Sequence, residues 1–311
     1  MDVSGNRPLT ITGRWLWGSG WLVLICGLCL HLTIRDRMDS LAVVFYALPL
    51  PVLGVLALAL CAWEKWRIAA LLTALLVSGL WVSRSWCWNE RGPAAAGATE
   101  FRALYWNLGR PKAPSNDLIQ LVKRLQPDVV GCGEPGPGFM QHGTAYEEAL
   151  PGYTCHLMPR GLFLLSRWPV KMVQRGKLDS LGAFACFDVD APQGSVRLVL
   201  VDVWADPLLP RRRSLEESLA YAEGKPRSIV MGDFNTPAES VWFAPYRQQM
   251  QDSFEAAGRG FRETWFWRLP VLSLDHVWAS KDWRVAEAGK LHCWSSDHSA
   301  LFVRLAQALP P

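Results

Sequence analysis

"IVMGDFNTPAES" (residues 229–240) begins as an apolar run and then breaks into Gly, Asp, Asn and Pro. The apolar run predicts a buried strand, because short apolar runs bounded by turn residues are typical of strands in a core. Asp233 and Asn235 stand two residues apart where that strand stops. One interpretation is an ordinary bend, since these residue types are the usual turn formers. The other is that a rigid strand end presents Asp233 and Asn235 to a substrate.

Similar apolar runs, separated by turn residues, recur through the second half of the chain. They predict strands at 102–108, 128–132, 162–166, 196–203, 227–233, 274–280 and 299–306. Residues 115–128 have apolar positions at helical spacing behind a Ser or Asn cap, and 213–224 is a second helical pattern that ends in glycine. Together these elements predict a mixed α/β fold without internal repeats.

The first part of the chain is far more apolar than the rest. Three segments, 14–34, 40–63 and 67–82, are each apolar over most or all of the roughly 20 residues that cross a bilayer. We therefore expect three transmembrane helices within residues 1–88, with Pro49 and Pro51 kinking the second. Residues 89–100 are small, polar and rich in Ala and Gly, which is typical of a linker. The remaining residues, 101–311, form the expected catalytic domain.

The charges that flank these segments do not fix their orientation. The loops and ends expected on one side carry four basic residues, and those on the other side also carry four. They are Arg7, Arg14, Lys65 and Arg67 against Arg35, Arg37, Arg84 and Arg91. The positive-inside rule therefore gives no preference.

The overall composition excludes few classes of function. A formal net charge of +4 and the lack of any run of five like charges make a nucleic-acid-binding tail unexpected. The eight cysteines lack the spacing of a zinc site or a disulfide framework. Cys26 and Cys29 form a C-x-x-C within an apolar segment, where we interpret them as small membrane-embedded residues.

Polar residues recur where the predicted strands stop. They are Asn107, Glu134, Asp233, Asn235, Asp275, Asp297 and His298. Each has a simpler explanation when taken singly: a turn residue, a solvated carboxylate or a hydrogen-bonded histidine. As a group they provide the few oxygen ligands that suit Mg²⁺ and the Asp–His pair that suits proton transfer.

In this order, these residues resemble the motifs of the endonuclease/exonuclease/phosphatase superfamily, which has the DNase I-like fold. The similar stretches are YWNLG (105–109), VVGCGEP (129–135), GLFLLSRWPV (161–170), GDFNTP (232–237), LDHVWAS (274–280) and SSDHSALFV (295–303). The resemblance covers about residues 100–308 and implies an α/β four-layer sandwich, two packed sheets flanked by helices. We therefore expect an N-terminal three-helix transmembrane region followed by this sandwich.

The same resemblance implies a metal site. Glu134, with Asn107 and Asp297 near it, would hold a divalent cation, Mg²⁺ or Mn²⁺. The chain departs from the family pattern at Gly133, where members usually have Gln before the metal-binding Glu.

The resemblance also implies catalytic roles. Asp233 would orient or deprotonate the attacking water, and Asn235 would hydrogen-bond the phosphoryl group. His298, positioned by Asp275, would stabilise charge or act as the base, so the identity of the base stays open. Trp204 occupies the position where many members carry His or Tyr beside the leaving group, and indole cannot exchange protons near neutral pH.

These features suggest a membrane-anchored, metal-dependent phosphoric ester hydrolase acting on a lipid-linked phosphate. In plan it is similar to bacterial glycopeptide-resistance membrane phosphatases, which implies a multi-pass cell-membrane protein with an extracytoplasmic catalytic domain. The expected partners are the bilayer and a phosphorylated substrate; nucleic acid is not expected, and no protein partner is inferred. Arg211, Arg212 and Arg213 would form an anion clamp or simply an exposed helix start. The alternatives are a nuclease and a non-catalytic membrane module that retains the fold.

Overall fold

A computed structural model describes residues 11–62, 66–89, 100–179 and 181–307, with the side chains of 11 and 12 excepted. The chain divides into two compact units, Met1–Arg84 and Ser85–Pro311, which we call the N-terminal unit and the C-terminal unit. Residues 90–99, most of the predicted linker, lie outside the described residues.

The described N-terminal helices are strongly apolar. They are α1 (Ile11–Leu32), α2 (Asp39–Ala47), α3 (Leu50–Leu60) and α4 (Arg67–Ser85). Residues Gly13–Leu32 of α1 and all of α4 are long and apolar enough to cross a membrane. Small and apolar side chains such as Leu53, Ala57 and Ala70 are buried between the helices, whereas many leucines and valines face outward. Outward apolar faces of this extent are typical of helices surrounded by lipid.

The second predicted span, 40–63, is not one continuous helix. α2 and α3 are bent by 61° at a break between them, so the helices provide two spans, or up to three if the bent pair counts as one. Pro49 is the N-cap residue of α3 and Pro51 lies in its first turn. Proline lacks the backbone N–H that a continuous helix needs, which explains the break at this point.

The C-terminal unit contains two six-stranded sheets. The first sheet has the spatial order β10 (Met250–Asp252), β12 (Asp275–Ser280), β9 (Ser228–Asp233), β8 (Gly194–Asp202), β7 (Gly182–Ala191) and β6 (Val170–Leu178). The second has the order β13 (Trp283–Leu291), β14 (Ala300–Gln307), β2 (Glu100–Asn107), β3 (Val129–Gly133), β5 (Leu162–Ser166) and β4 (Thr154–Met158). The remaining elements are α5 (Asn116–Leu125), α6 (Gly143–Ala149), α7 (Arg212–Ala220), α8 (Ala244–Gln249), α9 (Ser253–Ala257), β1 (Trp86–Trp88) and β11 (Arg259–Phe261).

The pleat of the strands explains how the layers stack. Successive side chains of a strand point to opposite faces. On β2, Tyr105 belongs to the core between the two sheets, whereas Trp106 belongs to the core under α5 and α6. On β9, Met231 faces the other sheet and Val230 faces α7 and α8. The result is the expected DNase I-like α/β sandwich of two packed sheets with helices outside them.

The helix signals in the sequence are confirmed with shorter bounds. Ser115 caps α5 by accepting a hydrogen bond from the backbone N–H of Leu118, and α5 ends before Gln126, which adopts the left-handed conformation. α7 ends at Ala220 rather than at Gly224. The strand β1 falls within residues 1–88, which the sequence assigned to the membrane region. It pairs instead with β11 of the C-terminal unit and forms a separate two-stranded ribbon.

The topology brings several strand ends to one edge of the sandwich. The parallel pair β2 and β3 ends at Asn107 opposite Gly133, and the parallel pair β8 and β9 ends at Asp202 opposite Asp233. β12 runs antiparallel to β9 and therefore starts at this same edge, with Asp275 opposite Asp233. β14 is antiparallel to β2, so the residues just before β14 also lie there. This arrangement positions the candidate site.

Candidate active site

Asp233 lies at the centre of the polar cluster at this edge. It is buried, and its Oδ2 accepts a hydrogen bond of 2.9 Å from Asn107 Nδ2. Its Oδ1 accepts a second of 2.8 Å from the backbone N–H of Asn235. His298 Nε2 is 3.9 Å from Asp233 Oδ2. The carboxylate is thus held by two donors and faces an imidazole.

His298 is held in turn by Asp275. Its Nδ1 lies 2.8 Å from Asp275 Oδ2, and both residues are buried. Thr264 Oγ1 fixes the start of β12 by accepting hydrogen bonds from the backbone N–H groups of Leu274 and Asp275, both 3.1 Å. Asp275 Oδ1 is buried and has no hydrogen-bond partner among the described residues. This geometry orients the ring so that Nε2 faces Asp233.

The electrostatics of the cluster separate the roles of its members. Burial lowers the pKa of His298, but the carboxylates of Asp275, Asp233 and Asp297 outweigh that effect and raise it to about 10. Burial and the charge of Asp275 raise the pKa of Asp233 to about 7, against the opposing effects of His298, Asn235 and Asn107. Near neutral pH the imidazole is therefore cationic, and Asp233 is close to the point at which it exchanges a proton.

Glu134 lies at the end of the neighbouring strand pair. Its carboxylate accepts from Arg110, whose Nε is 2.9 Å from Oε2 and whose NH2 group is 3.1 Å from Oε1. The Arg110 side chain is largely exposed, so this ion pair adds little stability and is easily exchanged. Glu134 has a φ of 46°, a left-handed backbone that is uncommon for a residue with a long side chain.

Asp297 is oriented by a residue that the motifs did not indicate. Its Oδ2 accepts a hydrogen bond of 2.9 Å from Trp265 Nε1, and its backbone oxygen accepts from the N–H of Trp267 at 2.7 Å. Trp265 also forms an isolated bridge with His298. The segment between β11 and β12 therefore supports Asp297 and His298 together.

The donor set fits a divalent cation. The carboxylates of the cluster interact electrostatically, and among the described residues they outnumber the two positive groups that act on Asp202, which are Arg110 and His298. The carboxylates are Glu134, Asp202, Asp233, Asp275 and Asp297. Excess buried negative charge of this kind favours a bound cation, and oxygen donors are those that Mg²⁺ prefers.

Two sets of residues could provide metal ligands at this edge. Asp233, Asp275 and His298 offer ligand atoms within 4.8 Å of one another. Within this set Asp275 raises the pKa of His298, so a metal ion would compete with a proton for the imidazole. The other set, Glu134, Asn107 and Asp297, is the one that the resemblance to the family implies. Asn107 Oδ1 accepts a hydrogen bond from the Gly109 N–H, which orients the amide.

Asp202 is a site residue that the sequence reasoning missed. It ends β8 opposite Asp233 and is half-buried. Burial, followed by the charges of Asp233 and Glu134, raises its pKa well above the ordinary value for Asp. Its position at the end of the apolar run in "LVLVDVWADP" is the sequence signal that indicates it.

Asn235 joins the ends of β8 and β9. Its side-chain Nδ2 donates to the backbone oxygen of Val203 at 2.7 Å, and its backbone N–H donates to Asp233. The hydrogen bond from Asn235 to a phosphoryl group stays a prediction. Trp204 is half-exposed beside this contact.

The three arginines do not form a cluster of available guanidinium groups. Arg211 is buried and donates to the backbone oxygens of Trp204 and Asn235, at 2.5 and 3.1 Å. Arg212 pairs with Glu216, and Arg213 pairs with Glu217, each one turn along α7. This placement favours the alternative interpretation, a helix start with exposed ion pairs, over an anion clamp. The guanidinium of Arg211 is a structural brace next to the site.

Comparison with known proteins agrees with the architecture. Residues 104–298 match the Endonuclease/Exonuclease/phosphatase family. A search of curated proteins found no match.

Solved structures of similar fold cover the C-terminal unit. An endonuclease/exonuclease/phosphatase family protein from Bacteroides thetaiotaomicron has a TM-score of 0.54 and 17% identity, covering 68% of this chain and 99% of its own. An endonuclease/exonuclease/phosphatase from Beutenbergia cavernae has a TM-score of 0.52 and 19% identity, and the match covers 67% of this chain and 72% of the other. D. rerio TDP2 in complex with a single-strand DNA product has a TM-score of 0.52 and 14% identity, covering 67% and 100%. At these identities the likeness establishes the fold.

Proposed function

The chain belongs to the endonuclease/exonuclease/phosphatase family, and on that premise we propose that it is a divalent-metal-dependent hydrolase of phosphoric esters, anchored in a membrane by its N-terminal helices. One observation carries the proposal: Asn107, Asp233, His298 and Asp275 form a continuous set of contacts at the strand ends. This set joins a base of suitable pKa to a cationic imidazole.

The chemistry follows from these two pKa values. Asp233 accepts a proton from water as the water oxygen forms a bond to phosphorus, and the bond from phosphorus to the leaving oxygen breaks. The protonated His298 donates a hydrogen bond from Nε2 to a phosphoryl oxygen, where negative charge develops. Asp275 holds the imidazole in this orientation and favours its charged form. A bound Mg²⁺ or Mn²⁺ would supply further stabilisation of that charge as a Lewis acid.

The leaving group shapes the choice of substrate. The resemblance to the family implies that Trp204 stands where many members have a residue that assists the departing oxygen, and an indole cannot provide a proton near neutral pH. A substrate whose leaving group is already a weak base, such as one phosphate of a diphosphate, needs no such assistance. Together with the apolar helices, this supports a lipid-linked phosphate or diphosphate as the substrate class.

The membrane topology is part of the same proposal. Three spans, with the bent pair α2 and α3 as the second, would put the two ends of this region on opposite sides of a cell membrane. The similarity in plan to bacterial glycopeptide-resistance membrane phosphatases supports an extracytoplasmic C-terminal unit. Accessibility of an engineered cysteine at Asp190, an exposed position on β7, to an impermeant thiol reagent tests this side. Labelling in intact cells supports it, and labelling only after lysis contradicts it.

Hydrolysis by the purified full-length protein tests the function. We expect release of p-nitrophenol from a generic phosphate ester when Mg²⁺ or Mn²⁺ is present, and its loss in Asp233→Ala by about a thousandfold. Asp190→Asn removes an exposed carboxylate and serves as the matched control, with activity unchanged. No hydrolysis by the wild-type protein with either metal would count against the proposal.

A nuclease is the second candidate, because the fold is shared with a protein solved with a DNA product. A plasmid-nicking assay separates the two, since an ester hydrolase of the proposed kind leaves the plasmid intact. A calorimetric titration with Mg²⁺ tests the third candidate, a non-catalytic module. Such a module has no need for a metal ion, so no heat of binding is expected from it, whereas both enzymes bind Mg²⁺.

A further inference from the structure

The segment between β11 and β12 exposes apolar side chains directly beside the candidate active site. Trp267 follows Trp265, which holds Asp297, and the Trp267 backbone N–H donates to the Asp297 oxygen. The side chain of Trp267 is nevertheless 40% exposed, and Leu269 is 62% exposed. The backbone of this segment is thus anchored to the site while its large side chains face outward.

Trp294 extends this apolar surface through its contact with Arg268. It lies three residues before Asp297 in the chain and is 66% exposed. The guanidinium of Arg268 lies over its ring at 4.7 Å from the centroid. We call Trp267, Arg268, Leu269 and Trp294 the aromatic rim. A rim of large apolar groups with a cation at its edge is an unusual surface for contact with water alone.

The chain path links the aromatic rim to the end of an apolar helix. Ser85 is the last residue of α4 and the first of the C-terminal unit, and its backbone oxygen accepts a hydrogen bond of 3.0 Å from the Arg262 N–H. Trp86 then pairs with Phe261 in the β1–β11 ribbon. Arg262 is three residues before Trp265, a path of at most about 11 Å between Cα atoms. The segment that supports the candidate site is therefore tied to Ser85, the residue at which the C-terminal unit begins.

We propose that the aromatic rim inserts into the interface of the bilayer that holds the N-terminal helices, so that the active site opens at the level of lipid phosphate groups. Tryptophan prefers this interface because its ring is apolar and its N–H is polar. Leu269 reaches the acyl boundary, and Arg268 pairs with phosphate groups of the lipids. Trp204, which is 50% exposed, follows Val203, whose N–H donates to the Asp233 backbone oxygen, so a further exposed aromatic ring lies near the site.

The consequence for catalysis rests on the proposed function. A lipid-linked phosphate would reach Asp233 and His298 without leaving the membrane. A water-soluble ester would reach them without any contact with the rim. The rim therefore distinguishes two classes of substrate that the catalytic residues treat alike.

Contact with lipid is measured first, independently of hydrolysis. A fluorescent unnatural amino acid replaces Leu269 in the full-length protein, reconstituted in vesicles of phosphatidylethanolamine and phosphatidylglycerol. Met172, an apolar side chain on the distant edge strand β6 that is 38% exposed, is the matched control position. We expect lipids with brominated acyl chains to quench the probe at 269 and to leave the probe at 172 unchanged. Equal, weak quenching at both positions overturns the proposal. A fluorescence change at position 269 that depends only on the number of protein molecules per vesicle also overturns it and shows that a second copy of the chain covers the rim.

Hydrolysis then tests the consequence. Leu269→Asp should lower kcat/KM for a polyprenyl phosphate embedded in the vesicles by about tenfold, because it replaces the apolar side chain that the bilayer interface would cover with a charged one. The same variant should hydrolyse p-nitrophenyl phosphate at the wild-type rate, and Met172→Asp should leave both rates unchanged. Equal rates of wild type and Leu269→Asp on the embedded substrate contradict the role of the rim. If the wild type hydrolyses neither substrate, the proposed function fails, and the quenching result alone decides whether the rim binds lipid.

Discussion

Two buried histidine–aspartate pairs involve neighbouring residues of strand β12, and they differ in what surrounds them. Asp275 holds His298, whose Nε2 is 3.9 Å from Asp233. His276, the next residue, places Nδ1 3.0 Å from Asp252 Oδ2. Because successive residues of a strand face opposite sides, the two pairs lie in different environments.

The second pair has its hydrogen bonds satisfied. His276 Nε2 contacts the backbone oxygens of Thr236 and Ser273 at 3.1 and 3.0 Å. Asp252 accepts from the backbone N–H groups of Phe254 and Glu255 as the cap of α9. Burial would raise the pKa of Asp252, but the hydrogen bond and charge of His276 and the other donors lower it below the ordinary value.

The first pair is left incomplete. Asp275 Oδ1 has no hydrogen-bond partner among the described residues, and the pKa of Asp233 is raised, largely by burial. The same two residue types therefore serve a catalytic role in one pair and a structural role in the other. A histidine–aspartate pair whose polar atoms are all used ties the fold together, whereas one that leaves charge uncompensated is available for chemistry.

The largest difference between the two pairs should appear when each histidine is replaced by alanine, and His298 is considered first. We expect His298→Ala to lower the rate of metal-dependent ester hydrolysis by about a thousandfold, because the cationic donor to the phosphoryl oxygen is lost. Its melting temperature should fall as well, because the buried Asp275 carboxylate loses its partner, so the rates are compared at temperatures at which each variant is folded. Steady-state kinetics and circular dichroism measure the two quantities. A folded His298→Ala protein that hydrolyses the ester at the wild-type rate would show that His298 has only the structural role of His276.

His276→Ala should lower stability without removing activity. It leaves the buried Asp252 carboxylate without its main partner, and we expect the free energy of unfolding to fall by about 3–5 kcal/mol. Well below its melting temperature, the variant should keep most of its hydrolytic activity. Denaturant unfolding and initial rates measured on the same preparation provide the check. Catalytic loss in a folded His276→Ala protein would contradict the assignment.

The pH dependence sharpens the assignment of the first pair. Activity should rise as Asp233 loses its proton around pH 7 and fall as His298 loses its proton around pH 10. The raised pKa of His298 also stabilises the folded state fully below pH 6.5, and this contribution is lost as pH rises through about 10.

Asp275→Asn provides the matching variant for this profile. Removing the carboxylate that raises the pKa of His298 should move the alkaline limb of kcat/KM to lower pH. The acidic limb should also move to lower pH, because the charge of Asp275 helps to raise the pKa of Asp233. An alkaline limb that stays at the same pH in Asp275→Asn would show that a group other than His298 determines it.

Asp202→Asn should have the smallest effect. It removes a half-buried carboxylate whose charge opposes that of Asp233, and no hydrogen bond to that carboxylate is present among the described residues. At neutral pH, above the ordinary pKa of Asp, we expect the melting temperature of the metal-free protein to rise by a few degrees. Differential scanning fluorimetry with a chelator measures this change. A fall in melting temperature would show that Asp202 forms a favourable contact instead.

Local sequence signals predicted much of the sandwich. The strand at 227–233 is observed as Ser228–Asp233, and the strand at 274–280 as Asp275–Ser280, because short apolar runs between turn residues identify buried strands. The strand β6 was not predicted, since most of its side chains are exposed and it lacks an apolar run.

The site could be predicted only in part. The motif residues come together because parallel strands end at one edge, which the resemblance to the family implies. The contact of Trp265 with Asp297 joins residues 32 positions apart, and no local pattern indicates it. The side chain of Asn235 turns to the backbone of Val203, a choice set by the neighbouring strand rather than by the GDFN motif.

Removal and return of the metal tests the central claim most directly. The full-length protein is treated with a chelator, and hydrolysis of a phosphate ester is followed as Mg²⁺ or Mn²⁺ is added back. The account predicts that the wild type and His276→Ala lose activity with the metal and recover it, whereas His298→Ala stays inactive at every metal concentration. A wild-type protein that hydrolyses nothing with either metal, or a His298→Ala variant as active as the wild type, would contradict it.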